Sequence, residues 1–357
     1  MDEIHYPLED TLPQTGELVE VAQGVFWLRM PLPFALDHIN LWLLRDTFEG
    51  KEGWTIVDCG ISTPVIQAAW ESIFANHLQG LPIVRVIATH MHPDHIGLAH
   101  WLCKTWQVPL WMSMTDFLLA KWWSSKEGGQ NLGSEAGGGG AADHFFKHGL
   151  TDEKDLEVIR GRSSYFSNLV PDVPKQFRRL MDQEELQIGN RTWRAISGFG
   201  HSPEHLAFAC IQDKLMIAGD MLLPRISTNI SVHDMEPDAD PLGQFLDSIA
   251  KFEFLDPLTL VLPSHGKPFQ GLHFRVQQLR DHHDERLKET WDACIEPQTA
   301  KDILPILFRR KLDMHQMTFA MGEAVAHLNY LWRRGKLKRE ADERGILRFS
   351  RQESVSA

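Results

Sequence analysis

His90, His92, Asp94 and His95 fall within six residues, in the run Thr89-His90-Met91-His92-Pro93-Asp94-His95-Ile96-Gly97. Imidazole and carboxylate at this density form a ligand set for Zn²⁺, or for Mn²⁺ or Fe, since affinity alone does not choose among them. His90 and His92 are two apart on extended backbone and project to the same side. Asp94 and His95, beyond the bend at Pro93, approach from another direction, so one cluster can serve two neighbouring ions. Left uncoordinated, these groups would crowd polar atoms together for no gain. The same residue types recur further on, at Gly200-His201, Gly219-Asp220 and His265-Gly266, each after a short, largely apolar run. A Ser-His-Asp triad could be drawn from so many histidines, but no GxSxG elbow supports one.

Elements must deliver these residues to one place. Residues 18–30, 39–44 and 54–57 read as strands, and 64–78 has the apolar spacing of an amphipathic helix with Pro64 in its first turn. Residues 82–88 form a short β-branched run, expected to be a buried strand, directly before the histidines. Helical spacing follows over 96–106 and a strand over 108–112. This is the rhythm of an α/β domain, in which sites form at the carboxyl ends of strands. From 113 to about 180 no strand signal appears. The segment reads as a helical insertion with a mobile Gly-rich stretch (Gly128, Gly129, Gly133 and 137–140), open to roles as lid or linker. Its Trp122, Trp123, Phe145 and Phe146 read as packing groups or as an apolar cover. Strands resume at 186–188, 193–196, 206–211, 215–218 and 258–262, with a helix over 242–254. From 275 the chain reads as helical, with no strand before 345–349. The expected division is a catalytic domain over 1–273 and a small C-terminal domain over 274–357.

Composition bounds the class. The 357 residues carry 36 Lys+Arg against 48 Asp+Glu, a formal charge of −12, with 24% charged and 43% hydrophobic residues, as in a globular chain. The 18 histidines are more than packing requires. No apolar run approaches the roughly 18 residues of a membrane span, and the acidic start is unlike a signal peptide. Cys59, Cys103, Cys210 and Cys294 are too scattered for a disulfide framework, which suggests reduced thiols and a cytoplasmic setting.

The run 89–97 resembles the THxHxDH motif of the metallo-β-lactamase superfamily, in the form of its glyoxalase II-like hydrolases. Gly200-His201-Ser202-Pro203, Gly219-Asp220 and Ser264-His265-Gly266 are similar to its later motifs, in order, so the resemblance spans about residues 20 to 270. It implies a four-layer αββα sandwich with a two-metal site. By the same resemblance His90, His92 and His201 bind one ion, Asp94, His95 and His265 the other, and Asp220 bridges both. Asp58 corresponds to an aspartate that fixes the ligand loop, and reads otherwise as a turn residue. His205 reads as a group supporting the ligands or as a strand residue. Asp220 stands where antibiotic-degrading relatives carry Cys, and His92 where the flavin-linked di-iron relatives carry Glu. Ser202-Pro203-Glu204-His205 departs from the commoner Thr-Pro-Gly-His and places a charge beside the site.

The implied reaction is attack of a metal-bound hydroxide on a carbonyl or phosphorus, with Asp94 and Asp220 as the catalytic carboxylates. Arg225 and Asn229, after Asp220, are candidate substrate contacts, although Arg225 reads equally as a solvated or structural arginine. Residues 331–351 hold eight Lys/Arg against three Asp/Glu and resemble the winged-helix-like tail of some relatives, certain of which are ribonucleases. Three functions stay open. The leading one is a binuclear hydrolase of a small-molecule thioester, ester or lactone. A phosphodiesterase or ribonuclease using the tail is the second, and a weakly catalytic ligand-binding or regulatory protein the third. A membrane partner is not expected, and the tail's cations could also pair with the acidic main domain or with a second subunit of a homo-oligomer.

Overall fold

The computed structural model describes residues 3–125 and 138–352, so Gly128, Gly129, Gly133 and Gly137 of the glycine-rich stretch lie outside the described residues. The chain forms two compact units that interleave along the sequence, where the sequence reading divides it once after residue 273. The first comprises Met1–Ser124, Ser167–Thr228 and Ser248–Val276, and the second Ser125–Phe166, Asn229–Asp247 and Gln277–Ala357.

The first unit holds two sheets. One has seven strands in the order β1 (Val19–Ala22), β2 (Val25–Pro31), β3 (His38–Phe48), β4 (Lys51–Val57), β5 (Ile83–Ile87), β6 (Leu110–Met112) and β7 (Phe177–Arg179). β1 to β4 form an antiparallel meander, and β4 to β7 run parallel. α1 (Pro64–Asn76) crosses from β4 to β5; α2 (Pro93–Ile96) and α3 (Ala99–Trp106) cross from β5 to β6; α4 (Met114–Ser124) follows β6. α1 starts at Thr63, whose hydroxyl caps the Ile66 amide, and it buries Ile66, Ala69, Trp70 and Ile73 on one face. The other sheet has five strands, β8 (Glu185–Ile188), β9 (Arg191–Gly198), β10 (His205–Cys210), β11 (Leu215–Gly219) and β12 (Leu260–Pro263), in the order β12-β11-β10-β9-β8. Only β11–β12 is a parallel pairing in it.

The sheets meet through one core. Trp27, Trp42, Val57, Ile87 and Trp111 from the first pack with Leu186, Trp193, Leu206, Phe208, Ile217 and Leu262 from the second. Burying each such side chain stabilises the fold by about 1.5–3 kcal/mol. The αββα expectation holds. Beside the core, the buried Arg85 guanidinium on β5 donates to Asp46 on β3 and to the Gln187 carbonyl on β8.

Two expectations fail. Residues 177–179 are a strand, although Phe-Arg-Arg shows no alternation, because its backbone completes the parallel edge beside β6. Residues 337–341 are β13 (Leu337–Ala341), pairing with β14 (Leu347–Arg351), where only a basic turn was expected; Leu337 is its one buried residue, so no apolar pattern marks it. The first strand is also split, since Gly24, at φ +71, turns β1 into β2.

In the second unit, the helices Gly139–Lys147 and Glu153–Arg160 fulfil the expected helical insertion, the latter capped by Asp152. Phe145 is buried and Phe146 partly covered; of the two tryptophans on α4 of the first unit, Trp123 is buried and Trp122 is 41% exposed. Capping boxes at Thr299/Asp302 and Asp313/Gln316 start the helices Ala300–Leu307 and Met314–Arg333, which lead into the β13–β14 hairpin. Four of the tail's arginines pair with acids: Arg334 with Asp240, Arg339 with Asp238, Arg348 with Asp342 and Arg351 with Asp292. All four cysteines are buried free thiols, and among the described residues no helix is long and apolar enough to cross a membrane.

Candidate metal centre

Each chemistry-bearing residue stands just past a strand end. β4 delivers Asp58, β5 delivers 89–95, β9 delivers His201, β11 delivers Asp220 and β12 delivers His265. Two groups form: His90, His92, His201 and Asp220 in one, and Asp94, His95 and His265 in the other, with ligand-capable atoms within 4.8 Å of one another in each. In the first, His92 Nδ1 lies 2.8 Å and His201 Nε2 3.2 Å from His90 Nε2. Asp220 Oδ2 lies 3.2 Å from His201 Nε2, while its Oδ1 lies 3.6 Å from His95 Nε2 and 3.5 Å from His265 Nε2. One carboxylate thus reaches both groups. Asp94 Oδ2 completes the second, 3.4 Å from His265 Nε2.

The donor set fits divalent cations. Three imidazole nitrogens converge where protons cannot satisfy all of them, and a shared cation would. Beyond the ion contacts, neither His95 Nε2 nor Asp220 Oδ1 makes a hydrogen bond of ordinary geometry among the described residues, though both are buried. Electrostatics agree. His90 and His205 are held well below the usual histidine range, by burial first and then by neighbouring imidazoles. Burial also opposes charge on His95 and His265, yet both are pushed up. Asp58, Asp94 and Asp220 outweigh burial for His95, and Asp220 and Asp94 do so for His265. Conversely Asp220 lies well below the usual carboxylate range, His265, His95 and His201 overcoming its burial. The carboxylates are thus arranged to face positive charge.

The supports are equally specific. Asp58, buried at φ +65, accepts from the Thr89 amide (2.7 Å), the Thr89 hydroxyl (2.9 Å) and His95 Nδ1 (2.8 Å). That last bond leaves His95 Nε2 facing Asp94 and Asp220, the arrangement a ligating histidine needs. His205 opens β10 and its Nε2 accepts from the Asp220 amide at 3.1 Å. Gly219 is required beside it: a Cβ there would fall 2.1 Å from His205 Nε2.

Two supports escaped the sequence reading. Asn40 Nδ2 donates to the Pro263 and Gly266 carbonyls, both at 2.8 Å, and His265 Nδ1 donates to the His38 carbonyl at 2.7 Å. Both clamp the His265 loop from β3, over 220 residues away. The local signal was slight, a polar Asn40 inside the apolar run 39–44 with His38 at its edge. Of the candidate substrate contacts, Arg225 is exposed with its guanidinium 5.8 Å from the Tyr6 ring, and Asn229 accepts from the Ser231 hydroxyl. The loop after Asp220 is instead held by the buried Arg275, which donates to the Leu223 and Ile226 carbonyls.

A family model described as "Metallo-beta-lactamase superfamily" matches residues 35–265, and one described as "Metallo-beta-lactamase-like, C-terminal domain" matches residues 287–352. The chain is 24% identical over 322 residues to the probable metallo-hydrolase YqjP of Bacillus subtilis (strain 168), covering 87% of this chain and 92% of that one. It shares 52% identity and a TM-score of 0.91 with a crystal structure of a beta-lactamase domain protein from Burkholderia ambifaria, over 98% of both chains. A metallo-beta-lactamase family protein from Thermus thermophilus shares 26% identity at a TM-score of 0.76, over 93% of this chain and all of that one.

Proposed function

This chain belongs to the metallo-beta-lactamase superfamily, and from that premise we propose that it is a hydrolase holding two divalent ions, zinc foremost, that cleaves a small-molecule thioester, ester or lactone. The observation carrying this reading is the reach of Asp220, whose two oxygens face the two ligand groups. His90, His92 and His201 would hold one ion, Asp94, His95 and His265 the other, with Asp220 between them. Bound there, the ions supply Lewis acidity and a coordinated water of lowered pKa. The chain's own part is orientation. Asp94 and Asp220, 19% and 10% exposed at their side chains, would help hold the ions and orient the water at the edge of the site that solvent reaches. Asp58 keeps His95 in the tautomer that presents Nε2. Glyoxalase II-like chemistry is the nearest class, supported by the His-x-His-x-Asp-His pattern and by an aspartate at the bridging position.

The arginine pairs in the tail favour this reading over a ribonuclease, because a nucleic-acid surface needs cations free to meet phosphate. The test is metal analysis with a panel of acyl thioesters, lactones and phosphodiesters. About two ions per chain are expected, with turnover of acyl substrates that is indifferent to Lys336→Ala and Lys338→Ala. Phosphodiester cleavage with a steep salt dependence would replace this reading by the nucleolytic one. Full metal content and full activity in His92→Ala would sink the site assignment.

A further inference from the structure

Asp116 is wholly buried in the first turn of α4, where an acid is ordinarily explained by the helix dipole. Its carboxylate serves other segments instead. Oδ1 accepts from the Met91 amide at 2.9 Å, and Oδ2 accepts from the Glu204 amide at 2.6 Å. Met91 lies between His90 and His92, and Glu204 lies between His201 and His205. One side chain therefore grips two loops that approach the same ligand group from different sheets. The grip is returned: Glu204 Oε2 accepts from the Thr115 hydroxyl at 2.9 Å and from the Thr115 amide at 3.4 Å. Glu204 is the residue that departs from the family's commoner glycine, so this return contact belongs to the present sequence.

We propose that Asp116 is a positioning residue, and that Thr115, Asp116 and Glu204 form a reciprocal lock holding the His90–His92 and His201 loops at metal-binding distance before any ion arrives. The inference rests on the reading that these histidines are ligands. Its geometry explains why a charge is tolerated where relatives carry glycine: the carboxylate is tied to the start of α4 and does not point at the ligands. Asn at position 116 keeps the shape, but because the Met91 and Glu204 amides reach different oxygens of Asp116, one of them would face the NH₂ group, a donor against a donor.

Two readouts test the lock on Asp116→Asn and Thr115→Val in the full chain. The first is amide exchange of the chelator-treated protein, followed on peptides spanning 88–97 and 200–206. Both should exchange about tenfold faster or more in Asp116→Asn, with other peptides unchanged. The second is zinc affinity by competition with a chromophoric chelator, expected to fall about 10- to 100-fold in Asp116→Asn and less in Thr115→Val. Uniformly faster exchange along the chain, or zinc affinity within about twofold of wild type, overturns the proposal. If Asp116→Asn does not fold, Thr115→Val and Glu204→Gly carry the test, since each releases only the return contact; no change in the 200–206 peptide refutes the lock. Failure of wild type to take up zinc would fell the metal reading, while the exchange result still decides the lock.

Discussion

Replacing Asp58 with Asn isolates one hydrogen bond of the site. Asn tolerates the left-handed backbone at φ +65, so the change adds no strain there. Its carbonyl can keep the Thr89 amide, and the Thr89 hydroxyl can turn to accept from the new NH₂ group. His95 Nδ1, 2.8 Å from Oδ2, has no such escape. Facing an amide NH₂, it must become the acceptor, which moves the ring proton to Nε2, the atom that faces Asp94 and Asp220 at 3.8 and 3.6 Å. The loss is one charge-assisted bond, about 1.5–3 kcal/mol, or roughly 10- to 150-fold in an equilibrium constant. It should fall chiefly on the Asp94/His95/His265 group, because His95 bonds to Asp58 directly, whereas the His90/His92/His201 group is reached only through the Thr89 hydroxyl, 3.0 Å from His90 Nδ1. A two-step zinc titration with chelator competition, read beside the thermal midpoint of the chelator-treated protein, measures this. One step should weaken and the other should hold. Two unaltered steps, or two steps weakened equally, would refute the argument that Asp58 acts by orienting His95.

Asp46→Asn leaves the Arg85 guanidinium buried without its carboxylate and should cost about 3–5 kcal/mol in urea unfolding, with zinc content retained. A loss below about 1 kcal/mol would show that the Gln187 carbonyl and the rings of Phe48 and Trp111 suffice for that cation. A pH effect follows from the buried pair His283 and His327, which burial lowers to about 3 and about 4 from 6.5. Both are neutral when folded and protonate more readily when unfolded, so their contribution is fully present above about pH 6.5 and is lost as pH falls toward 4. Glu323, pushed up to about 7 by burial, acts in the opposite sense as pH rises from 4.5. His327→Gln should therefore lose up to about 3 kcal/mol less stability than wild type between pH 6.5 and 4. An equal or steeper acid loss in the variant, measured by denaturant titration of chelator-treated protein, contradicts this.

What was legible in the sequence was local or patterned. Residues 89–97 carry four donors in close succession, and the later His201, Asp220 and His265 each follow an apolar run long enough to be a strand. The structure brings all seven together. Asp58 was legible because it too ends such a run. Asp116 and Asn40 were not, since their partners lie 25 to 226 residues away and nothing in the neighbouring residues marks a buried acceptor or amide. β7 and β13 were missed for a related reason. Their strand character comes from pairing with β6 and β14, and Phe-Arg-Arg and Leu-Lys-Arg-Glu-Ala bury too little to leave a periodicity. The interleaving of the two units is likewise set by contacts between distant segments.

Placing each donor just past a strand end also fixes when the centre can exist during biosynthesis. His265 follows His90 by 175 positions and reaches it only after β12 has joined β11. At about 5–20 residues per second, roughly 10–35 s separate the two on a translating ribosome. Through that interval the nascent chain displays His90, His92 and His95 without the geometry that would select among ions. If the seven residues hold ions as proposed, the choice among ions is thereby deferred until His265 has joined the other donors, so the order of synthesis and not the first cluster alone sets when a metal can be selected.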